Sequence, residues 1–375
     1  MIIRVTDHHV IFSITTQGLV FANEPTFSPT IQQTVSIAFM SDAPIDQLRF
    51  SFLRRLLACA SVLVASLLLV IHFCQFDILA AVTLIPPWMW LVPAAIGLAI
   101  SYKAITRRVF LTTICLWALF AFCFAEESRS LLRSGGAIEK VSEHSIRIAT
   151  INCNFGNVNA AKEALEFMPD IVLIQESMGE QPLAKIADEY FGEQGNSLHG
   201  GDVSIIANGT IKTVHMDPAS HFVHAVVTVG STKIDVVCLR LSAPVFRIDF
   251  LSSGFWTDHA KTRRNHRRQL QEIADHLEQF AESEHAVIGG DFNLVGNDGA
   301  LSALHPYEDS FFTAGSGWGN TGTSDYPLFR VDQIWTSSSL KCRASQAFET
   351  ENSDHRMVIA DFTPPTLLLT SELTR

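Results

Sequence analysis

The residues of this chain that could do chemistry lie mainly in its C-terminal part, where polar side chains follow apolar runs. Asn152 and Asn154 follow the β-rich run that begins at Ile146, and Glu176 directly follows the apolar run Ile171–Gln175. Taken singly, each is best explained as an ordinary strand-end or loop residue. A carboxylate that closes an apolar run is a stronger indication of a site, because burying a charge without a partner is costly.

The same arrangement recurs further along the chain, at polar residues that lie in or next to strand-like runs: Asp291 with Asn293, Asp332, and Asp354 with His355. The first two lie in the run Gly-Gly-Asp-Phe-Asn, and the last two follow a serine just before the final strand-like run. The functional prediction therefore depends on the whole series and not on any one member.

The elements that would position these residues alternate between strand and helix signals. Apolar residues at helical spacing predict helices near Asn159–Phe167 and over Thr257–Glu282. Short apolar runs predict the following strands: Ile146–Asn152, Asp170–Gln175, Val203–Ala207, Ala225–Val229, Ile234–Leu241, Ala286–Gly290, Phe329–Trp335 and Met357–Phe362. Many strands with few helices predict an α/β fold in which two β-sheets pack together with helices outside.

The complete series resembles the endonuclease/exonuclease/phosphatase superfamily. The order is Asn, Glu, Gly-Asp-Phe-Asn, Asp and Ser-Asp-His, and the resemblance covers about residues 145–363. It implies a four-layer α/β sandwich of two mixed β-sheets flanked by helices, with the site at the sheet edge. It also implies a metal-dependent phosphoric ester hydrolase. With the apolar segments described below, the chain looks like a membrane-anchored bacterial subgroup associated with glycopeptide resistance.

The resemblance implies metal-binding roles for four members of the series. Glu176 would be the principal ligand of Mg²⁺ or Mn²⁺, and Asn152, Asn154 and Asp354 would lie close to the metal. Mg²⁺ prefers octahedral oxygen ligands and retains several waters. The bound ion would neutralise charge on a phosphate ester, which otherwise resists attack by water.

The remaining members would act on water and on the phosphate. Asp291 would activate the attacking water as a base, and Asn293 would orient that water or the phosphate. His355, paired with Asp332, would donate a hydrogen bond to the charge that develops at phosphorus. The expected reaction is in-line attack of an activated water on a phosphate mono- or diester.

Three positions depart from the superfamily's usual pattern. Arg240 stands where a His or Tyr usually reaches the leaving group; it can stabilise a phosphate by bidentate contact but is no general acid at neutral pH. Asn154 stands where many members carry Asp, and Gln333 replaces a frequent His or Tyr. Arg240 and Asn154 leave open a catalytically silent module that binds phosphate without turnover.

The apolar excess of the chain is concentrated before this region. A membrane-spanning helix takes roughly 17–25 apolar residues. Three segments are long enough: Leu56–Cys74, Ile78–Ile100 and Val109–Ala125. Prolines at 86, 87 and 93 must kink or break the second segment. The sequence therefore predicts a region of three transmembrane helices.

Basic residues predict the orientation of these helices. Arginines precede the first segment and basic residues separate the second from the third, whereas the link Gln75–Asp77 has none and two glutamates follow the third. This bias places the basic groups in the cytoplasm. Three crossings then place everything after Ala125 on the far side. We expect a multi-pass protein of the cell (inner) membrane with an extracytoplasmic catalytic domain.

The predicted organisation has five parts: an N-terminal cytoplasmic segment at 1–55, three transmembrane helices within 56–125, a linker at 126–144, the phosphoesterase domain at 145–363 and a tail at 364–375. Met40 begins a more typical lead-in to the first membrane helix and is a candidate start of the protein.

Tethering and charge favour a lipid or lipid-linked headgroup as the substrate. A tethered domain meets membrane lipids at high effective concentration. Residues 130–375 carry 19 Lys and Arg against 31 Asp and Glu, a net of −12, whereas DNA binding relies on many cations. The basic run Lys261–Arg268 is either a solvated helix face or a contact for phosphates. An extracytoplasmic nuclease acting on DNA or RNA is the alternative.

Overall fold

The computed structural model describes residues 2–6, 9–13, 45–133, 145–216, 221–245, 247 and 249–364. The chain divides into two compact units, residues 1–54 and 55–375. In the first unit, strand β1 (Ile2–Thr6) pairs antiparallel with β2 (His9–Ser13), and helix α1 (Ile45–Cys74) begins. Met40, residues 134–144 of the predicted linker and residues 365–375 of the predicted tail lie outside the described residues.

The predicted transmembrane region is helical. After α1 come a 3₁₀ turn at Asp77–Leu79 and three helices, α2 (Ala80–Thr83), α3 (Pro87–Ser101) and α4 (Arg107–Phe124). Two helical stretches, Arg49–Cys74 and Arg107–Phe124, are long and apolar enough to cross a membrane. A third span results if Asp77–Thr83 and Pro87–Ser101 are taken as one bent unit.

The second apolar segment is broken at its prolines, as the sequence predicts. Pro86 precedes α3 and Pro87 opens it, a position that tolerates a residue without a backbone N–H. The two halves are bent by 66° relative to each other. The bend leaves residues 75–87, here named the connector, between α1 and α3.

The predicted linker begins as ordered structure. Helix α5 (Glu127–Ser130) follows α4 after two residues, and the described chain continues to Arg133. Residues 126–133 are here named the junction.

The C-terminal domain contains these strands within the described residues: β3 (Ile146–Asn152), β4 (Ile171–Gln175), β5 (Gly195–His199), β6 (Val203–Asn208), β7 (Thr210–Met216), β8 (Phe222–Val229), β9 (Thr232–Arg240), β10 (Ala286–Asp291), β11 (Glu308–Asp309), β12 (Asp332–Thr336), β13 (Lys341–Phe348) and β14 (Met357–Thr363). One sheet has the order β13-β14-β3-β4-β6-β5, the other the order β11-β12-β10-β9-β8-β7. Both sheets are mixed, because β3 pairs parallel with β4 and β9 pairs parallel with β10.

The helices of this domain are α6 (Val158–Glu166), α7 (Glu180–Phe191), α8 (Ser253–Phe280) and α9 (Ser310–Ala314), with 3₁₀ turns at Gly192–Gln194 and Gly299–Leu304. Helices α6 and α7 cover the outer face of the first sheet with side chains such as Ala164 and Leu183. Helix α8 covers the second sheet with Leu270, Ile273 and Leu277.

A core of apolar side chains fills the space between the two sheets. Ile148 and Leu173 contribute from one sheet, and Val236 and Val287 from the other. The inner strands β3, β4 and β10 are buried along their whole length, which explains their continuous apolar sequences. The predicted pair of mixed sheets flanked by helices is confirmed.

Candidate active site

The candidate site forms where the carboxyl ends of two parallel strand pairs meet. Residues at the ends of β3 and β4 contact residues at the ends of β9 and β10. Asn152 Nδ2 lies 3.2 Å from Asp291 Oδ2, and an Arg240 terminal nitrogen lies 2.7 Å from Glu176 Oε1. This end of the sandwich is here named the site edge.

Strand register places three charged residues side by side. Asp291 ends β10, and it is paired with Arg240 on the parallel neighbour β9 and with Asp332 on the antiparallel neighbour β12. Paired residues on neighbouring strands have side chains close together on the same face. Asp291 is therefore fixed between a guanidinium and a second carboxylate.

Backbone conformation also marks the site edge. Asn154, Phe155, Glu176 and Asn293 have positive φ angles of 39°, 58°, 47° and 51°. Non-glycine residues rarely adopt this conformation, and those that do cluster at functional sites. Gly290 precedes Asp291 with φ +147°, and a Cβ there would lie 1.9 Å from the Leu239 carbonyl oxygen. The second glycine of the Gly-Gly-Asp run is thus required by close approach of β9.

The Glu176 carboxylate accepts hydrogen bonds on both oxygens. Phe155 N–H donates to Oε2 at 2.8 Å, and Arg240 donates to Oε1 at 2.7 Å. Asn152 Nδ2 is 3.4 Å from the same Oε1. The second terminal nitrogen of Arg240 donates to Asp202 at 3.0 Å, and its Nε lies 3.9 Å from Asp291 Oδ2. Arg240 therefore bridges the carboxylates of three loops or strand ends.

His355 and Asp332 form an imidazole–carboxylate pair. The Nδ1–H of His355 donates to Asp332 Oδ2 at 2.8 Å. Burial disfavours the imidazolium, but the carboxylates of Asp332, Asp291 and Asp354 outweigh burial and raise the pKa of His355 to about 10. With Nδ1 bonded to Asp332, Nε2–H is the donor that remains for a substrate oxygen.

Asp291 is buried and fixed by its neighbours. Asn293 N–H donates to Asp291 Oδ1 at 3.0 Å, and Asn293 Nδ2 bonds to the Leu241 carbonyl at 2.9 Å. Burial raises the pKa of Asp291, Asp332 raises it further, and His355 and Arg240 oppose the rise. A carboxylate with a raised pKa is a better proton acceptor than a solvated one.

The residues present fit a divalent cation. Carboxylates outnumber cationic groups at the site edge, where Arg240 and His355 face these five: Glu176, Asp202, Asp291, Asp332 and Asp354. Ligand atoms of Asp291, Asp332 and His355 also lie within 4.8 Å of one another, but the His355–Asp332 hydrogen bond occupies that cluster, which leaves Glu176 as the principal candidate ligand. Asp332 Oδ1 is buried and has no hydrogen-bond partner among the described residues. Excess negative charge and an unsatisfied oxygen are what a hard cation satisfies.

The structure brings most of the predicted site residues into contact: Asn152, Glu176, Arg240, Asp291, Asn293, Asp332 and His355. Asn154 lies beside them, and its N–H donates to Asn152 Oδ1. Asp354 is exposed, and within the described contacts its carbonyl, not its carboxylate, bonds to a neighbour, the Ser324 N–H.

The sequence profile of the endonuclease/exonuclease/phosphatase family matches residues 149–355, which is more than half of the chain. The chain belongs to this family. The matched residues extend from β3, which ends at Asn152, to His355, and therefore include the candidate site residues between them. Members of the endonuclease/exonuclease/phosphatase family are generally metal-dependent hydrolases of phosphoesters, including nucleic acids.

Several solved structures are similar to part of this family member. A humanized D. rerio TDP2 with 14 mutations is 14% identical, with 59% of this chain and 99% of that chain covered and a TM-score of 0.44. An endonuclease/exonuclease/phosphatase from Beutenbergia cavernae is 15% identical, with 59% and 72% covered and a TM-score of 0.45. Beta toxin 275-280 from Staphylococcus aureus is 13% identical, with 57% and 99% covered and a TM-score of 0.44. Comparison with curated proteins gave no significant match.

One residue of this family member's site was not predicted. Asp202 precedes strand β6 at the site edge and accepts from Arg240. Its signal in the sequence is the turn Gly200-Gly201 followed by a carboxylate and an apolar run, which mirrors the position of Asp354 before β14.

The basic run Lys261–Arg268 has a third role that neither prediction named. Arg263 is 2% exposed and bonds to Asp298 and to Thr83 of the connector. Arg267 bonds to Asp77 of the connector at 2.8 Å. The prediction of a wholly solvated or phosphate-binding face is wrong for these two arginines, because acidic and polar groups of the same chain already hold them.

Gln333 also differs from its expected place in the site. Its Nε2 donates to the Leu294 carbonyl at 3.0 Å, and its Oε1 accepts from Trp335. Gln333 thus supports the loop after Asn293.

Proposed function

We propose that this chain is a membrane-anchored, divalent-metal-dependent phosphoesterase whose substrate is a phosphoester of a lipid or a lipid-linked headgroup. The observation that carries the proposal is that the connector and the junction both contact loops of the site edge. The three-span orientation predicted from the basic residues places the connector, the junction and the catalytic domain together outside the cytoplasm. The proposed architecture is similar to that of the membrane-anchored bacterial subgroup that the sequence resembles.

The connector contacts the loop that follows the Gly-Asp-Phe-Asn run. Gln75 Nε2 donates to the Asn297 carbonyl at 3.2 Å, and Gln75 Oε1 accepts from Gly299 N–H at 3.1 Å. These partners lie only a few residues after Asn293. Trp88, at the start of α3, packs edge-on against Trp318 with ring centroids 5.3 Å apart. The connector is therefore fixed against the loops that carry the site.

The junction contacts the segment that precedes Asp332. Glu126 forms an ion pair with Arg330 at 2.6 Å, and Arg330 is only 4% exposed. Glu127 accepts from Asn320 at 3.2 Å, and Ser130 carbonyl accepts from Gly317 N–H. Since Asp332 lies at the site edge, these contacts hold the end of α4 next to it.

These two sets of contacts support a substrate at the membrane surface. Both apolar elements that flank the connector and the junction, α1 and α4, are long enough to span a bilayer. Their ends are held at the same end of the sandwich as Glu176 and Asp291. A substrate embedded in the bilayer would then reach the site without leaving the membrane surface.

Some residues of the site edge would bind the cation, and others would transfer protons or stabilise charge during hydrolysis. Glu176, with Asn152 beside it, would hold the cation, which when bound supplies charge neutralisation at the phosphate. Asp291 accepts the proton of the attacking water, and Asn293 fixes the orientation of that carboxylate. His355, held by Asp332, donates from Nε2–H to a phosphoryl oxygen as negative charge develops there. Arg240 supplies a second positive charge beside the substrate phosphate.

Nucleic acid is disfavoured by charge. The region 130–375 has a net charge of −12 from 19 basic and 31 acidic residues. The strongest basic run of that region has Arg263 and Arg267 already engaged with the protein's own acids and connector. Fewer free cations are therefore left to neutralise a polyanionic backbone.

The test uses the full chain reconstituted in liposomes. One arm contains a polyprenyl phosphate or pyrophosphate or a phospholipid, the other a supercoiled plasmid, each with Mg²⁺ and with a chelator. We expect phosphate or headgroup release from the lipid arm that stops on chelation and is lost in Asp291→Asn. Efficient plasmid nicking without lipid hydrolysis would replace this proposal with the nuclease. Tight phosphate binding without hydrolysis in either arm would indicate the silent module.

A further inference from the structure

Large apolar side chains are exposed on three loops of the site edge. Phe155 follows β3 and is 94% exposed, Leu251 precedes α8 and is 91% exposed, and Tyr326 precedes β12 and is 80% exposed. Phe250, next to Leu251, is 63% exposed. Single exposed apolar residues are common, but several on loops around one site mark a surface that meets an apolar partner.

Described residues on either side of Phe250 and Leu251 form contacts that hold them in place. Arg247 forms ion pairs with Asp249 in the same loop and with Asp258 in α8. Trp256 Nε1 donates to the Phe250 carbonyl at 2.9 Å. These contacts hold the described residues next to Leu251, while the side chains of Phe250 and Leu251 remain exposed.

Helix α8 links this loop to the connector. Arg263 and Arg267 of α8 bond to Thr83 and Asp77 of the connector. Arg263 is ten residues into α8, so it lies about 15 Å along the helix from the loop at its start. Apolar side chains are also exposed at the junction, where Leu132 is 87% exposed. The apolar loops and the contacts of the connector and junction thus lie at the same end of the sandwich.

We infer that Phe155, Phe250, Leu251 and Tyr326 form a lipid-contacting surface that enters the outer part of the bilayer spanned by the protein's own helices. This inference rests on the membrane anchoring in the proposed function and adds the part of the catalytic domain that touches lipid. Transfer of these side chains from water to the acyl–headgroup boundary is favourable because it removes apolar surface from water. It also places the site opening at the depth of lipid phosphates.

A direct test measures the depth of position 251. Leu251→Cys in the full chain is labelled with an environment-sensitive dye and reconstituted in liposomes with or without spin-labelled quencher lipids. Glu284→Cys is the matched control, because Glu284 is 78% exposed and lies just before β10, at the opposite end of the sandwich. The unsubstituted chain, labelled in parallel, gives the background from its native cysteines.

We expect the dye at 251 to be quenched by the lipid label and the dye at 284 to remain unquenched. Equal and weak quenching at both positions would overturn the inference. A second measurement uses Leu251→Glu, which should lower hydrolysis of a bilayer-embedded phosphoester roughly tenfold, on the scale of losing one buried leucine, and leave a small water-soluble phosphoester unaffected. Equal loss on both substrates would contradict the lipid role.

Failure of the inference is distinguishable from failure of the proposed function. If the full chain cleaves only plasmid, the proposed substrate is wrong, but quenching at position 251 still reports lipid contact. If the chain cleaves lipid and position 251 stays in water, the substrate stands and the lipid-contacting surface is wrong.

Discussion

Two groups donate hydrogen bonds to the Glu176 carboxylate: the Arg240 guanidinium at 2.7 Å and the Phe155 N–H at 2.8 Å. A divalent cation bound by Glu176 has to coexist with Arg240 or displace it. The guanidinium and the metal therefore act as competing partners of the same oxygens. Arg240 neutralises part of the negative charge of the neighbouring carboxylates. A neutral His or Tyr at this position would not do so.

This competition predicts opposite effects of two substitutions on metal affinity. Arg240→Met should tighten Mn²⁺ binding by roughly tenfold, because Glu176, Asp202 and Asp291 lose a positive neighbour. Glu176→Gln should weaken it by at least as much, because the site loses a charged ligand. Calorimetric titration of the full chain in detergent measures both without relying on turnover.

Two exposed residues serve as controls for these affinities. Arg268 pairs only weakly with Glu272, at 3.9 Å with side chains 70% and 64% exposed, and Glu180 is exposed at the start of α7. Arg268→Met and Glu180→Gln should leave the Mn²⁺ affinity unchanged. An Arg240→Met protein that binds Mn²⁺ more weakly than the parent would show that Arg240 supports the metal.

Substitution of either of the two residues assigned to proton transfer is expected to lower turnover strongly. Asp291→Asn and His355→Ala should each lower kcat by about a hundredfold or more, the usual scale for general acid–base groups. The measurement is hydrolysis of the lipid phosphoester at saturating Mg²⁺. The exposed residues Asp275 and His305 give the matched controls Asp275→Asn and His305→Ala, which should keep the parent rate. Parent-like rates in both site variants would reject the assignment.

At the scale of elements, contacts of two buried arginines join the N-terminal apolar helices to the sandwich. Arg330 is 4% exposed and lies between Glu126 of the junction and Asp309, which caps α9. Arg263 is 2% exposed and bonds to Asp298 and Thr83. Removing one partner of a buried pair is far more damaging than removing both, because a charge is left without compensation.

We therefore expect Arg330→Met to destabilise the protein strongly. The buried Asp309 and the partly buried Glu126 would lose their cation, and such a loss typically costs about 3–5 kcal/mol. Thermal unfolding of the full chain in detergent should show a clearly lowered Tm, whereas Arg268→Met should change stability by less than about 0.5 kcal/mol. A triple change that also replaces Glu126 and Asp309 with Gln and Asn should recover part of the loss. A Tm unchanged in Arg330→Met would indicate that the junction is loosely held.

The inner strands were predictable from the sequence because burial on both faces leaves a continuous apolar run. The bounds of β3 are those predicted, and β4 and β10 differ by one residue at one end. Strands β5, β7 and β13 were not predicted, because they lie at sheet edges and most of their residues are partly exposed. Their side chains follow no clear apolar alternation.

The site was predictable as a set of residues but not as a set of contacts. Polar residues at strand ends identify Glu176 and Asp291 because their local sequence is unusual. The bond from Arg240 to Asp202, and the pairing of Arg330 with Glu126, join residues 38 and 204 positions apart. No local pattern encodes such pairs. The partners of Arg263 and Arg267 were missed for the same reason.

At the scale of the whole molecule, the contacts of the connector are consistent with the three membrane crossings predicted from the sequence. Asp77 and Glu126 both bond to the catalytic domain, so the proposed anchoring places both on its side of the membrane. Lys103 lies between α3 and α4 and Arg107 opens α4, and the proposed topology places both on the opposite side. Since Asp77 and Thr83 bond to α8, this topology requires α3, the part of the broken pair that follows the connector, to make the crossing.

Reporter fusions test that arrangement. Alkaline phosphatase fused after residue 140 should be active, and the same enzyme fused after residue 104 should be inactive, because it folds only outside the cytoplasm. A cytoplasm-dependent fluorescent reporter should give the reverse pattern at the two positions. Activity of the phosphatase at both positions, or at 104 alone, would refute the three-span topology and with it the outer-face substrate.

The contacts of Gln75 and Glu126 with loops of the site edge, and of Asp77 with α8, have a consequence for which molecules the proposed enzyme would select. A domain on a long free tether samples many heights above a membrane, but a domain bonded to its own anchor at two places stays at one height. A phosphoester carried at that height meets the site, whereas the same ester raised on a long hydrophilic spacer passes above it. The distance between the ester and the membrane would then determine which substrates are hydrolysed. This selectivity would come from the anchor and not from the residues of the site.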